Sequence, residues 1–164
     1  MMDALKTVKY MSARSVRMWK AGAEDEGIRS LCAYLKINTN VLCLELLDND
    51  ISSLGCEFLA KVLLPEAKAN LIILKLDHNG FGSEGVKKLA TGLVQNKTIT
   101  QISLTYCNID AKGARSLFEI LIYQQSVLEE LNLSGNHLRN EGTIMIMRGV
   151  SVAKHLSKIF LSDN

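Results

Sequence analysis

The side chains best suited to catalysis or metal binding in this chain are its cysteines and histidines. They are Cys32, Cys43, Cys56, Cys107, His78, His137 and His155. The cysteines form no CxxC pair, and neither a thiol nor a histidine stands at zinc-ligand spacing from Cys107. No serine or cysteine nucleophile is predicted to meet a histidine and an acid. The chain is therefore predicted not to be an enzyme, with no catalytic, cofactor-binding or metal-binding residues and no cofactor.

Cysteine usage and charge limit where the chain acts and what it binds. Four widely spaced cysteines do not match a dense secreted disulfide framework, so reduced thiols in a cytoplasmic (intracellular) compartment are expected. With 19 basic and 17 acidic side chains the net charge is +2, so no whole-domain field favours nucleic acid or an anionic membrane. No apolar run reaches the roughly 18 residues that would span a bilayer, so no membrane insertion is expected.

The strands and helices that position the cysteines and histidines follow a repeat of about 28 residues, which is clearest at residues 71–98. One glycine in each unit marks the register: Gly27, Gly55, Gly85, Gly113 and Gly142. Paired apolar residues before each glycine predict a short strand, and apolar residues four and eight positions after it predict a helix. A degenerate first unit contributes Val16 and Met18, and a last strand contributes Ile159 and Leu161. The pattern therefore predicts six strands and five helices.

Polar residues recur at two further positions of the unit. The turns after the last five strands carry Asn49, Asn79, Cys107, Asn136 and Asn164, and the degenerate first unit has Ala21 at this position. An inward-facing amide there is predicted to bond backbone groups left open at the strand end, with Cys107 as a small, weakly polar substitute. The position two before the glycine carries Asp25, Ser53, Ser83 and Asn140, which are predicted to N-cap their own helices. Where that position is Ala111, the preceding Asp110 is predicted to take the role.

These patterns predict one domain over residues 1–164. Its expected parts are a capping helix at 1–12, a degenerate repeat at 13–40, repeats at 41–70, 71–98, 99–127 and 128–155, and the start of a further repeat at 156–164. Residues 1–20 contain five basic residues and one acid, so a mitochondrial presequence is an alternative to the cap. The last strand leaves an open edge, which implies either a fragment of a longer repeat protein or an edge covered by a partner or a second copy.

The repeat resembles a known family. The pattern LxxLxLxxNxFGxEGxxxLAxxL at 71–93, echoed at 41–63, 99–121 and 128–150, is similar to leucine-rich repeats of the ribonuclease-inhibitor type. Repeats of this subclass also occur in the sensor ends of NOD-like receptors, in the Ran GTPase-activating protein and in the tropomodulin tail. The resemblance implies an α/β solenoid, a curved right-handed βα superhelix with a parallel sheet on its concave face and helices on its convex face. It also implies a scaffold that binds other proteins.

The register predicts which side chains the concave face and adjacent loops would show to a protein partner. The candidates are Trp19, Glu45, Leu47, Ile73, Lys75, Asp77, His78 and Tyr106. Trp19 beside Leu47 resembles a binding hot spot, although an N-terminal helix that folds over Trp19 is the alternative. Arg17, Glu45 and Lys75 alternate in charge on neighbouring strands, which permits lateral ion pairs.

The resemblance leaves a second function open. Because the Ran GTPase-activating protein is a repeat protein of this kind, the chain could regulate a small GTPase, with Arg139 in a strand-to-helix loop reaching a phosphate. The principal prediction is a non-catalytic scaffold that binds another protein and no nucleic acid.

Overall fold

The structure, a computed structural model, describes residues 12–164. The strands within this range are β1 Ser15–Trp19, β2 Cys43–Leu47, β3 Ile73–Lys75, β4 Gln101–Ser103, β5 Glu130–Asn132 and β6 Lys158–Phe160. The α-helices are α1 Glu24–Ile37, α2 Ser53–Leu63, α3 Gly82–Leu93, α4 Ala111–Ile122 and α5 Arg139–Val150, and a short 3-10 helix spans Pro65–Ala67. The predicted alternation of six strands and five helices is confirmed. The capping helix, predicted at residues 1–12, falls almost wholly on residues 1–11, which lie outside the described residues, as do the first eleven of the twenty residues of the presequence alternative.

The strands form one parallel sheet in the order of the sequence, β1 to β6. Its register sets the apolar strand residues of neighbouring units side by side, as in the pairs Val16–Leu44, Leu44–Leu74 and Leu74–Ile102. Each helix crosses back over the same face of the sheet, and such parallel connections are right-handed in nearly all proteins. The predicted fold is confirmed: a curved right-handed βα solenoid with the sheet on the concave face and the helices on the convex face.

One continuous apolar core lies between the sheet and the helices. The strand leucines fill its sheet side; Leu44, Leu46, Leu74 and Leu76 are completely buried. The helices contribute the residues predicted from the spacing after each glycine, such as Leu59 and Leu63, Leu89 and Leu93, and Leu117 and Leu121. Burying one such leucine stabilises the fold by about 1.5–3 kcal/mol, so the regular spacing of apolar residues is the main source of stability.

The predicted amide ladder is present, and Asn79 shows how it works. Its Nδ2 donates to the carbonyl oxygens of Leu46 (2.6 Å) and Leu76 (2.8 Å), and its Oδ1 accepts from the amides of Asn49 (2.9 Å) and Ile51 (3.2 Å). The amide thus joins one unit to the preceding one at the point where the strands end. It satisfies buried backbone groups that no neighbouring strand can reach.

The same arrangement recurs further along the chain. Asn136 accepts from the amides of Cys107 and Ile109, at 3.0 Å each. In the unit between, the Sγ of Cys107 lies 3.3 Å from the carbonyl oxygens of Leu76 and Thr105. Cys107 therefore makes the inward contacts of an asparagine with a weaker donor, as predicted.

The predicted helix caps are only partly correct. Asp110 caps α4 as expected, accepting from the amides of Lys112 (2.8 Å) and Gly113 (3.4 Å). Helix α2 is capped by Ser52, whose side chain accepts from the amide of Leu54, and not by Ser53. The other helices have Ala23, Phe81 and Leu138 at the cap position, with no side-chain cap hydrogen bond. The prediction was therefore wrong for Asp25, Ser53, Ser83 and Asn140.

Two of the mispredicted caps stabilise the next unit instead. The Asp25 carboxylate accepts from the amides of Ser52 and Gly55, both at 2.9 Å. The Ser83 Oγ accepts from the amides of Asp110 and Gly113, both at 3.0 Å. A side chain one unit earlier thus satisfies amides at the start of α2 and of α4, which have no partner within their own helix.

We predict that Asn79→Ala lowers the free energy of unfolding by about 3 kcal/mol or more, since it leaves several buried backbone groups without a partner. Urea unfolding followed by circular dichroism measures the change. Asn70→Ala is the matched control: Asn70 is exposed and donates one side-chain hydrogen bond, to the Thr39 carbonyl oxygen, so we expect a loss of less than about 1 kcal/mol. Equal losses in the two variants would contradict the structural role of the ladder.

Candidate protein-binding surface

The concave face shows the residues that lie between the buried positions of each strand. On β1, β2 and β3 the middle of this face is charged: the Glu45 carboxylate lies 3.3 Å from Arg17 Nε and 3.1 Å from Lys75 Nζ. The register that sets Arg17, Glu45 and Lys75 side by side confirms the predicted lateral ion pairs. Partly exposed pairs of this kind contribute about 0–1 kcal/mol each, so they chiefly neutralise the middle of the face.

Trp19 is the most exposed large apolar side chain of the described residues, with 75% of its surface accessible. It pairs with the half-buried Leu47 on the neighbouring strand. Beside these two residues, Lys20 forms an ion pair of 3.2 Å with Asp48. The result is an apolar group bordered by charge, and its role in binding a partner stays a prediction. The N-terminal helix that was expected as an alternative cover for Trp19 lies outside the described residues.

Asp77 differs from the expectation that it faces a partner. Only 8% of its surface is accessible. Its carboxylate accepts from the Ser103 hydroxyl at 2.6 Å and from the Thr105 amide at 2.7 Å. The expected exposure of Asp77 was therefore wrong, because the polar residues of β4 and its following loop are within reach of the carboxylate and bind it to the sheet.

His78 and Tyr106, two of the candidate residues in the loops after the strands, contact each other. Their rings are stacked, with centroids 4.8 Å apart and planes inclined by 14°. Tyr106 is 50% exposed, and its ring also covers the next unit at Gly135, where a Cβ atom would collide with the ring. The absence of a side chain at Gly135 thus leaves room for Tyr106 to lie along the edge of the sheet.

The sequence did not reveal the backbone conformation of these loop residues. The residue two positions after each strand's second inward-facing apolar residue has a positive φ in all six units: Lys20, Asp48, His78, Tyr106, Gly135 and Asp163. Non-glycine residues rarely adopt this left-handed conformation, which costs about 1–2 kcal/mol. It turns the chain sharply at the end of each strand and sets the loop side chains in one row along the edge of the sheet. A composition rich in Asn, Asp and Gly is a weak signal of such turns.

The remaining candidates have separate surroundings. Ile73 is half-buried on β3, beside Cys43 on β2. Arg139 is exposed and lies at the start of α5, in a groove between the first turns of α4 and α5. Its role toward a small GTPase stays a prediction. Within residues 12–164, no three or more His, Cys, Asp or Glu side chains come together to hold a metal ion, and no helix is long and apolar enough to cross a membrane.

Comparison with known proteins agrees with this architecture. A family model described as Leucine Rich repeat matches residues 38–60, 67–90, 95–118 and 124–147. Parallel βα units joined by buried asparagines define the class of leucine-rich-repeat solenoids. The chain belongs to the leucine-rich repeat family.

Individual relatives show the same resemblance. The chain is 32% identical over 135 residues to NACHT, LRR and PYD domains-containing protein 12 of Mus musculus, covering 81% of this chain and 12% of that protein. It is 33% identical over 124 residues to ribonuclease inhibitor of Mus musculus, covering 74% of this chain and 26% of that protein. A solved structure of leiomodin-1 actin-binding site 2 shares the fold, with a TM-score of 0.56, 19% identity, and coverage of 97% and 77% of the two chains. The predicted ribonuclease-inhibitor-type resemblance is confirmed, and the chain spans much less than two thirds of these two sequence relatives.

We predict that only Cys43 of the four cysteines reacts with a bulky thiol reagent at about pH 8, because the thiolate is the reactive form. Burial raises the pKa of Cys32 and of Cys107 to about 12 each and also raises the pKa of Cys56. Cys43 is only half-buried. Mass spectrometry should find one label on the native protein and four after denaturation, and Cys43→Ser should remove the native label. Rapid labelling of native Cys107 would contradict this assignment.

Proposed function

We propose that the chain is a non-catalytic scaffold that binds a protein partner through the concave face of β1–β3 and the adjacent loops. The family supports this proposal, because leucine-rich-repeat folds present surfaces for recognition. Ribonuclease inhibitor, to which the chain is 33% identical, acts by its name on another protein. The family that matches is a repeat family and not an enzyme family.

The observation that carries the proposal is the exposure of Trp19 beside Leu47. Tryptophan is among the residues that contribute most to binding energy at protein interfaces, and such residues are usually surrounded by contacts that exclude water. The ion pairs of Glu45 and Lys20 border this apolar group. A partner can therefore bury the indole ring without leaving an unpaired charge beneath it.

The row of loop residues along the edge of the sheet extends this candidate surface toward the later repeat units. The rings of His78 and Tyr106 are stacked and both residues lie in defined backbone turns, so we expect the pair to lose little conformational entropy when a partner binds. Between the two groups, Asp77 is turned inward and makes the local surface less charged. Trp19, Leu47, His78 and Tyr106 are therefore the contacts that we assign to the partner, while Asp77 holds the sheet together.

The size of the sheet limits the kind of partner element. Six strands about 4.8 Å apart span about 24 Å, which is the length of a helix of about 16 residues. A sheet of this width can hold one helix, one loop or one edge of a domain.

We predict that Trp19→Ala reduces partner capture at least tenfold and changes the free energy of unfolding by less than about 0.5 kcal/mol, since an exposed side chain contributes little to the core. Quantitative mass spectrometry of proteins captured from native extract measures the first effect, and thermal unfolding measures the second. Ile37→Ala is the matched control, because Ile37 is an exposed apolar residue at the end of α1.

Trp19 also provides a direct reporter, since it is the single tryptophan of the chain. Its fluorescence should resemble that of free tryptophan in the isolated protein and shift to shorter wavelength when a captured partner is added. A partner that is retained equally by wild type and Trp19→Ala, with no fluorescence shift, would contradict the proposed surface.

A further inference from the structure

A groove of about 840 Å³ lies where the loops after β4 and β5 enter helices α4 and α5. Four basic side chains line it: Lys112, Arg115, His137 and Arg139. All four residues are exposed. No salt bridge between described residues involves Lys112, Arg115 or Arg139. Lys112 interacts electrostatically with Asp110, whereas Arg115 and Arg139 can present their charge to a ligand.

The repeat itself does not require these basic residues. Counted from the glycine of each unit, the equivalent positions two units earlier are Leu54, Glu57, Gly80 and Gly82. That earlier position therefore has one acid and no cation among the four residues, and Glu57 is paired with Lys61 at 3.0 Å and with Lys88 at 3.5 Å. Because the same strands and helices form with either set of residues, the basic groove is a property of its surface and not of the fold.

Two acids, Asp110 and Glu141, also line the groove, so its Lys and Arg side chains exceed its acids by one. Asp110 accepts hydrogen bonds from the Ser83 hydroxyl at 2.6 Å and from the amide of Lys112 at 2.8 Å. The hydrogen bond from Ser83 is the largest cause of a lowered Asp110 pKa, and the carboxylate is committed to the start of α4. Glu141 has a counterpart, Glu84, at the same position two units earlier. This acid is therefore common to both places and does not account for the difference in charge between them.

The backbone fixes the two walls of the groove relative to each other. The His137 amide donates to the Ile109 carbonyl oxygen at 2.7 Å, and Asp110 and His137 form an isolated parallel bridge. Arg139 has a φ of 53°, and its counterpart Gly82 has a φ of 62°. An arginine thus occupies a left-handed position where the earlier unit has glycine, at a cost of about 1–2 kcal/mol.

We propose that this basic groove binds an acidic segment of a partner protein, a short extended stretch that carries several Asp or Glu carboxylates. Lys112 and Arg115 stand one turn apart on α4, and Arg139 lies across the groove at the start of α5. Cations that lie apart from one another can each bind a different carboxylate along an extended chain. A single small anion would instead need cations that converge on one point. The guanidinium groups can bind carboxylates through two parallel hydrogen bonds.

The size and lining of the groove favour a peptide over other anions. Its volume falls within the range of about 300–1,000 Å³ that is typical of ligand sites, and it far exceeds the size of one inorganic anion. Its described lining contains no Phe, Tyr or Trp, whereas sites for single-stranded nucleic acid use aromatic rings on which bases stack. The groove shares no residue with the concave surface around Trp19, so it adds a second contact to the proposed scaffold.

The test uses a dye-labelled peptide of six glutamates and fluorescence anisotropy with the whole chain. We expect binding that weakens at least tenfold when NaCl rises from about 50 mM to about 500 mM, because added salt screens exposed charges. Arg139→Gly should weaken binding about tenfold, and the double change Lys112→Leu with Arg115→Glu should abolish it. Each variant installs the residue of the equivalent earlier position. Arg139→Gly should also keep or raise the melting temperature, since its φ suits glycine.

Two controls separate this proposal from the alternatives. Lys154→Gln, which removes an exposed cation outside the groove, should leave peptide binding unchanged, and Trp19→Ala should do so as well. Equal peptide binding by wild type and both groove variants would overturn the proposal, as would an equal loss in Lys154→Gln. Tighter binding of a single-stranded oligonucleotide with the same dependence on the groove would also overturn it. A phosphoserine peptide that binds while the glutamate peptide does not would overturn the carboxylate assignment.

Discussion

The buried amide hydrogen bonds between successive units are the interaction on which the rest of the structure depends. Asn79 and Asn136 each join the backbone of their own turn to that of the preceding unit. The sheet hydrogen bonds end with the strands, but the chain must still turn toward the helix inside an apolar core. Each amide supplies the donors and acceptors that this turn lacks, so the units can stack only in the observed register.

This constraint also determines what the molecule shows to its surroundings. The inward-facing turn residue is preceded by a residue that turns outward with a positive φ in all six units, including the two in which Ala21 and Cys107 replace the asparagine. The loop side chains, including the stacked pair His78 and Tyr106, therefore stand in one row along the edge of the sheet. The same backbone turn therefore places one residue in the interior and the residue before it on the exposed edge. Side chains at this edge can change between units without disturbing the core.

The fold was predictable from the sequence because its determinants recur. Leucine spacing specifies the register of the strands, and the asparagine ladder specifies where each strand ends. The candidate site was less predictable, because its details depend on contacts between different units. Asp77 is buried because Ser103 and Thr105 of the next unit reach its carboxylate, and Asp25 serves the following helix because its oxygens reach the amides of that helix. A repeat pattern predicts the position of a residue within its unit. It does not predict which neighbouring residue the side chain contacts.

The two proposed contact surfaces can act independently, and the reason lies in the architecture. In a solenoid each unit packs against its immediate neighbours, and helix contacts here follow the same order, α1 with α2 through to α4 with α5. The Trp19 group belongs to the first two strands, whereas the basic groove belongs to the fourth and fifth helices. Substitutions at sites that are far apart and share no partner usually have additive effects. A single partner that contacted both surfaces would bind more tightly than a partner that contacted one. Binding of its first segment at one surface raises the effective concentration of its second segment at the other surface.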